Sequence, residues 1–169
     1  VGVHTGLVLL AQSESELAGG LVMGRLARET DDDDLRVHLT EHCAEEAHHA
    51  WLWTETILKV GGAPKRVAET YQTRYYAEIG MPASLLEILT LTQVFERRVI
   101  RHFRAHLKWP NVHPAVAETL HNMIADEVGP RSVSLLVEPV GVDQADAVLL
   151  RAVDDVYKEG FFLLHESSQ

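Results

Sequence analysis

The sequence predicts an all-α chain: one domain over residues 1–169, built as a bundle of four long helices with an extra C-terminal helix. Apolar residues recur in alternating steps of three and four along four separate stretches, the spacing of helices that each bury one stripe. Clusters of Gly, Pro and Asp, which stop and start helices, separate those stretches. A hydrophobic content of 46% over 169 residues is enough for one sizeable core.

The first helix is expected over about residues 3–29 and carries two stripes. Val3, Leu7, Leu10, Glu14, Leu17 and Leu21 form the more apolar one, which would bury Glu14. Leu9, Ser13, Glu16, Gly20 and Met23 form a poorer one, which would bury Glu16. The two glutamates lie about 200° apart on the helix wheel, so only one faces inward. Periodicity favours Glu14, with Glu16 the alternative.

The acidic run Asp31–Asp34 supplies a cap for a second helix of about 33–60, and Gly61-Gly62-Ala63-Pro64 ends it. Its stripe is Leu35, Leu39, His42, Glu46, His49, Trp53, Thr56 and Val60. Residues 65–82 form a connection, with a short helix at about 67–79 and a close at Gly80-Met81-Pro82. About 20 residues can cross from one end of a bundle to the other, which would make the second and third helices parallel. The third helix, about 83–108, stops at Trp109-Pro110-Asn111 and has the stripe Leu86, Leu89, Gln93, Glu96, Ile100, Phe103 and Leu107. The fourth starts near Pro114, where proline suits a first helical turn, and runs to Gly129-Pro130. Val116, Leu120, Met123 and Glu127 line its inner face. A resumption to about residue 138 and a last helix of about 143–164 complete the chain.

The stripes carry chemistry as well as packing. Glu46 and His49, three residues apart, point together into a dry core. Glu96 and Glu127 occupy the same register on their helices. An unpaired buried carboxylate is costly, so something should compensate it, and a metal ion is the leading candidate. His42, one turn before Glu46, is read as a supporting or core histidine that could lend a nitrogen. Gln93, one turn from Glu96, could hydrogen-bond a ligand. Glu45 and His48 repeat the Glu-x-x-His spacing off the stripe and are read as surface, as is Glu87. Trp53 and the tyrosines at 71, 75 and 76 are read as packing.

With one interior glutamate on each of four helices and a histidine three residues after one of them, the chain resembles the ferritin-like superfamily of carboxylate-bridged di-iron proteins. The motifs are Glu-Glu-Ala-His-His-Ala on helix two, Gln-Val-Phe-Glu-Arg-Arg on helix three and Ala-Asp-Glu-Val-Gly-Pro on helix four. The resemblance covers essentially residues 5–140 and implies an up-down-down-up bundle with one long crossover. It implies Glu46 and Glu127 as bridging carboxylates, and Glu14 (or Glu16) with His49 as terminal ligands of one metal. Glu96 is left as the sole terminal ligand of the other. The departure is Pro130, which stands where the family's second Glu-x-x-His has its histidine. Proline offers no side-chain donor and disrupts the helix beside Glu127. One metal, two metals and a metal-free site all follow from that incomplete set. A carboxylate-rich site with imidazole favours iron, with manganese second.

The resemblance implies an O2-dependent oxidase or oxygenase acting on a small molecule. The alternatives are a metal-free scaffold using buried glutamates for binding or acid–base catalysis, and a ferroxidase or iron-handling protein. A net charge of −10 argues against a general nucleic-acid binder. No membrane span or secretory leader is visible, and a single cysteine, Cys43, fits a reducing cytoplasm. Expected partners are a small-molecule substrate and, optionally, a second copy of the chain in a homodimer. Arg97, Arg101, Arg104 and Lys108 form a basic stripe, read as a solvated face or a dock for an acidic or carrier partner.

Overall fold

A computed structural model of the protein describes residues 3–127, apart from 68, 69, 71, 72, 74, 75, 78, 79 and 83. All regular structure among them is helical. The four long elements are α1 (Val3–Glu29), α2 (Asp33–Lys59), α3 (Leu85–His106) and α4 (Pro114–Glu127). Each falls within two residues of its expected start. Pro130, the resumption to residue 138 and the last helix of 143–164 lie outside the described residues. So does most of the expected short helix at 67–79, where Thr73, Tyr76 and Ala77 are helical.

Local chemistry sets the helix ends. Asp32 caps α2 by accepting from the Leu35 amide at 2.9 Å. Ser84 does the same for α3 with the Glu87 amide at 3.2 Å. His113 Nδ1 accepts from the Ala115 amide at the start of α4. α2 ends in a Schellman turn. The Gly61 amide donates to Leu58 O at 3.0 Å and the Gly62 amide to Ile57 O at 2.8 Å, with Gly61 at φ +78°. A Cβ at Gly61 would meet nothing, so backbone strain alone penalises a side chain there. Gly61→Ala is therefore expected to cost about 1–2 kcal/mol, read as a lowered denaturation midpoint in urea.

α1 and α2 pack along most of their length. Small residues permit the close approach: Cβ atoms added to Gly20 and Gly24 would meet Glu46 Cβ at 3.3 Å and Cys43 Sγ at 3.1 Å. Ser13 Oγ donates to Ala50 O across the seam.

Two apolar clusters fill the interior. Leu9, Trp53, Ile57, Phe103, Val116, Leu120 and Met123 form one. Met23, Ala27, Leu39 and Leu89 form the other. In chain order, α2 runs from the second cluster (Leu39) to the first (Trp53, Ile57), and α3 does likewise (Leu89, then Phe103). α1 runs the opposite way, from Leu9 to Met23 and Ala27. Between the clusters every helix contributes polar residues: Glu16, then His42, Glu46 and His49, then Glu96, and finally Glu127. No described helix is long and apolar enough to cross a membrane.

Candidate functional site

The heptad-like register that packs the two apolar clusters also delivers the polar layer. On α2, His42, Glu46 and His49 follow Leu39 at steps of three, four and three and precede Trp53, so they share one face with it. His42 and His49 are buried, as are Glu16 and Glu96. Only 16% of the Glu46 side chain and 12% of the Glu127 side chain remain exposed. A Cβ on Gly19 would lie 2.8 Å from Glu46 Oε2, so Glu46 rests against the bare backbone of α1.

The two imidazoles have matching surroundings. His49 Nδ1 lies 3.9 Å from Glu16 Oε2 and 3.6 Å from Glu127 Oε1, while its Nε2 is 3.5 Å from Asp126 Oδ2. His42 Nε2 lies 3.3 Å from Glu46 Oε1 and 3.7 Å from Glu96 Oε1, while its Nδ1 is 3.9 Å from Glu45 Oε2. Each ring thus turns one nitrogen to two buried carboxyls and the other to a more exposed one. Neither nitrogen of His42 makes a hydrogen bond, although both are buried.

Burial dominates the electrostatics. It pushes the Glu46 carboxyl up to about 8, with Glu127 and Glu96 adding repulsion and a hydrogen bond from Glu16 opposing the shift. Glu127 rises to about 9, from burial first and then from Glu96, Glu16, Glu45 and Asp126. Glu16 is raised well above its ordinary value by burial and by Glu46. The Trp53 indole N–H, which faces Glu16 without forming a geometrically good hydrogen bond, works the other way. Desolvation lowers both His42 and His49 below the usual imidazole value. Burial thus favours the protonated form of Glu16, Glu46 and Glu127 and the neutral form of His42 and His49.

Two cavities meet at this layer. One, of about 20 Å³, is lined by His42, Glu45, Glu46, His49, Glu96, Asp126 and Glu127, and has room for one water-sized occupant. The other, of about 140 Å³, runs beside it along α1 and α3, with an apolar wall that includes Met23, Ile88, Leu91, Phe95 and Val99. Glu46, Glu96 and Glu127 line both. Among the described residues no group of three or more His, Cys, Asp or Glu is arranged, as it stands, to hold a metal ion.

The structure therefore gathers Glu16, Glu46, His49, Glu96 and Glu127, with His42 beside them. The preference for Glu14 is corrected. Glu16 is buried in the layer whereas Glu14 is half-buried, and on its stripe Leu10 packs against the first apolar cluster while Leu17 and Leu21 are 48% and 70% exposed. The poorer stripe faces inward because its glycines let α2 approach. Glu45 is also corrected: it reaches the small cavity from the rim instead of standing on the surface. Asp126 was missed, since it precedes Glu127 off the stripe; its neighbourhood to Glu127 was the available signal. Arg101, Arg104 and Lys108 are exposed, while the side chains of Gln93 and Arg97 lie outside what the structure describes. Comparison with family models, curated proteins and solved structures returned no match.

Proposed function

We propose that this is a ferritin-like, non-haem metal protein that oxidises a small, largely apolar molecule at the expense of O2. The observation that supports it best is the shared carboxylate wall: Glu46, Glu96 and Glu127 line both an ion-sized cavity and an apolar chamber. The order of residues through the two apolar clusters supports the up-down-down-up topology, with α2 and α3 running in the same sense.

The donor set fits a hard or borderline cation. Two imidazoles and four buried carboxyls from four helices suit iron or manganese. Donors bound to one ion at about 2.1 Å stand about 3 Å apart when adjacent, and the closest contacts here are 3.3–3.9 Å. The set is not convergent as it stands and its cavity admits one water-sized occupant, so loading requires side-chain adjustments of about an ångström that both draw the donors together and widen the cavity. Glu16, Glu46, His49 and Glu127 would hold one ion, with Glu96 directed to a second beside it. Bound iron would supply O2 activation. The chain's own residues would release protons from Glu46 and Glu127 on loading, balance charge, and keep bulk water from the chamber. The partly open cavity, about 140 Å³, accommodates a group near the size of benzene.

Metal stoichiometry tests this. Protein loaded anaerobically with ferrous iron and desalted should retain one or two ions per chain, and a Glu46→Ala/His49→Ala variant should retain none. Absence of retained iron in the unaltered chain would overturn the reading.

One observation favours a second, metal-free reading. Glu46 and Glu127, held at about 8 and 9, carry protons at neutral pH and could act as general acids toward a chamber ligand. That reading requires turnover that survives chelators and needs no O2.

A further inference from the structure

We infer that His42 replaces the missing histidine of helix four, supplying through Nε2 the only nitrogen ligand of the ion held by Glu96 and Glu46, with Glu45 orienting its ring. The inference rests on the metal-centre reading above and extends it to a residue the family pattern does not use. It begins from a deficit. With proline at position 130, the second ion would have carboxylates alone, whereas the first has His49. His42 stands where the deficit is.

Three features of His42 converge. The His42 side chain is only 7% exposed, and neither nitrogen has a hydrogen-bond partner. A buried imidazole without partners is costly unless something occupies its lone pair and its N–H. Second, Nε2 is directed at Glu46 and Glu96 at 3.3 and 3.7 Å, and all three residues line the ion-sized cavity. Third, Nδ1 faces the Glu45 carboxyl at 3.9 Å. A metal-bound histidine characteristically gives its other N–H to a carboxylate, which fixes the tautomer and the ring angle. His49 repeats the whole arrangement, with Glu16 and Glu127 on one nitrogen and Asp126 on the other. Two rings on one helix, seven residues apart and in equivalent surroundings, form a pair of nitrogen donors, one per ion.

Glu45 is accordingly a positioning residue. Its side chain is one-third exposed and lines the cavity 3.9 Å from His42 Nδ1.

The experiment uses the full chain and two readouts. Anaerobic ferrous loading followed by metal analysis should give two ions per chain in the unaltered protein, one in His42→Ala and one in His49→Ala. Glu45→Gln should keep both ions but weaken the second by about 10–100-fold. In a His42→Gly variant, millimolar imidazole should restore the second ion. The other readout needs no variant. Titration with Zn(II), followed by ¹⁵N-edited NMR of the histidine rings, should shift the Nε2 resonance of His42 while Nδ1 stays protonated.

The failures are separable. No retained metal in the unaltered chain overturns the metal-centre reading itself. One ion per chain with an unmoved His42 resonance, or two ions that survive in folded His42→Ala, overturns the role of His42 and leaves the metal centre standing.

Discussion

Replacing Trp53 with alanine should cost about 3–5 kcal/mol of stability, the range for deleting a buried large aromatic ring. Trp53 is 1% exposed and sits in the apolar cluster with Leu9, Phe103, Leu120 and Met123. Its ring meets Phe103 at a centroid separation of 5.7 Å and a tilt of 57°, a favourable aromatic geometry. The loss therefore combines transfer, cavity and aromatic terms, in a domain whose whole stability is expected to be about 5–15 kcal/mol. Urea denaturation followed by far-UV circular dichroism measures it without relying on the fluorophore that was removed. Trp53→Phe should lose less, about 1–2 kcal/mol, because most of the ring volume remains. An alanine cost below about 1 kcal/mol would contradict the core in which α2, α3 and α4 meet. The same ring floors the polar layer beside Glu16, so the alanine variant should also admit water there.

How much was legible follows from where each residue lies. On α2 a single stripe serves as both packing seam and site, so Leu39 and Trp53 identify the face on which His42, Glu46 and His49 stand. Glu96, midway between Leu89 and Phe103, and Glu127, one turn after Met123, are placed by the same logic. α1 defeats it. Apolar count favours Glu14, yet the interior face there is chosen by Ser13, Gly20 and Gly24, which let the backbone of α2 come close. Small residues carry little hydropathy signal, so a periodicity argument undervalues them at a helix–helix seam. Glu45 and Asp126 escaped for another reason. Both are off the stripe by one residue, and their carboxyls reach the cavity by side-chain length and not by register. Pro130, the departure from the ferritin-like pattern that the sequence resembles, is evident in sequence. The orientation of the His42 imidazole toward Glu96 is a matter of three-dimensional placement.

The second large effect is a stability that falls with pH until metal is added. In the metal-free protein Glu46 and Glu127 hold protons up to about pH 8 and 9, and Glu16 is shifted in the same direction. The unfolded chain releases those protons near its ordinary carboxylate value of about 4.5. Between these limits the native state binds more protons than the unfolded one, so stability decreases as pH rises. The histidines oppose this, but only at lower pH. Lowered values for His42 and His49 mean that the native state binds fewer protons, a contribution that increases stability up to about pH 6.5 and is constant above it. From pH 6.5 to 9 the carboxyl contribution stands alone. Each such group is worth at most about 1.4 kcal/mol per pH unit, so the two together lose about 5 kcal/mol and should lower the melting temperature by about 10–20 °C across that interval. Metal binding requires the deprotonated carboxylates, which reverses the sign: affinity should rise over the same window and loading should release protons. Differential scanning calorimetry with and without anaerobic ferrous iron would then show melting temperatures that diverge steadily from pH 6.5 to 9. A metal-free curve that is flat over this range would mean that the carboxyls titrate as if in water and that the layer between the two apolar clusters is wet. A falling curve that iron leaves unchanged would mean a dry layer in which protons alone neutralise the carboxyls, the condition the acid–base reading needs.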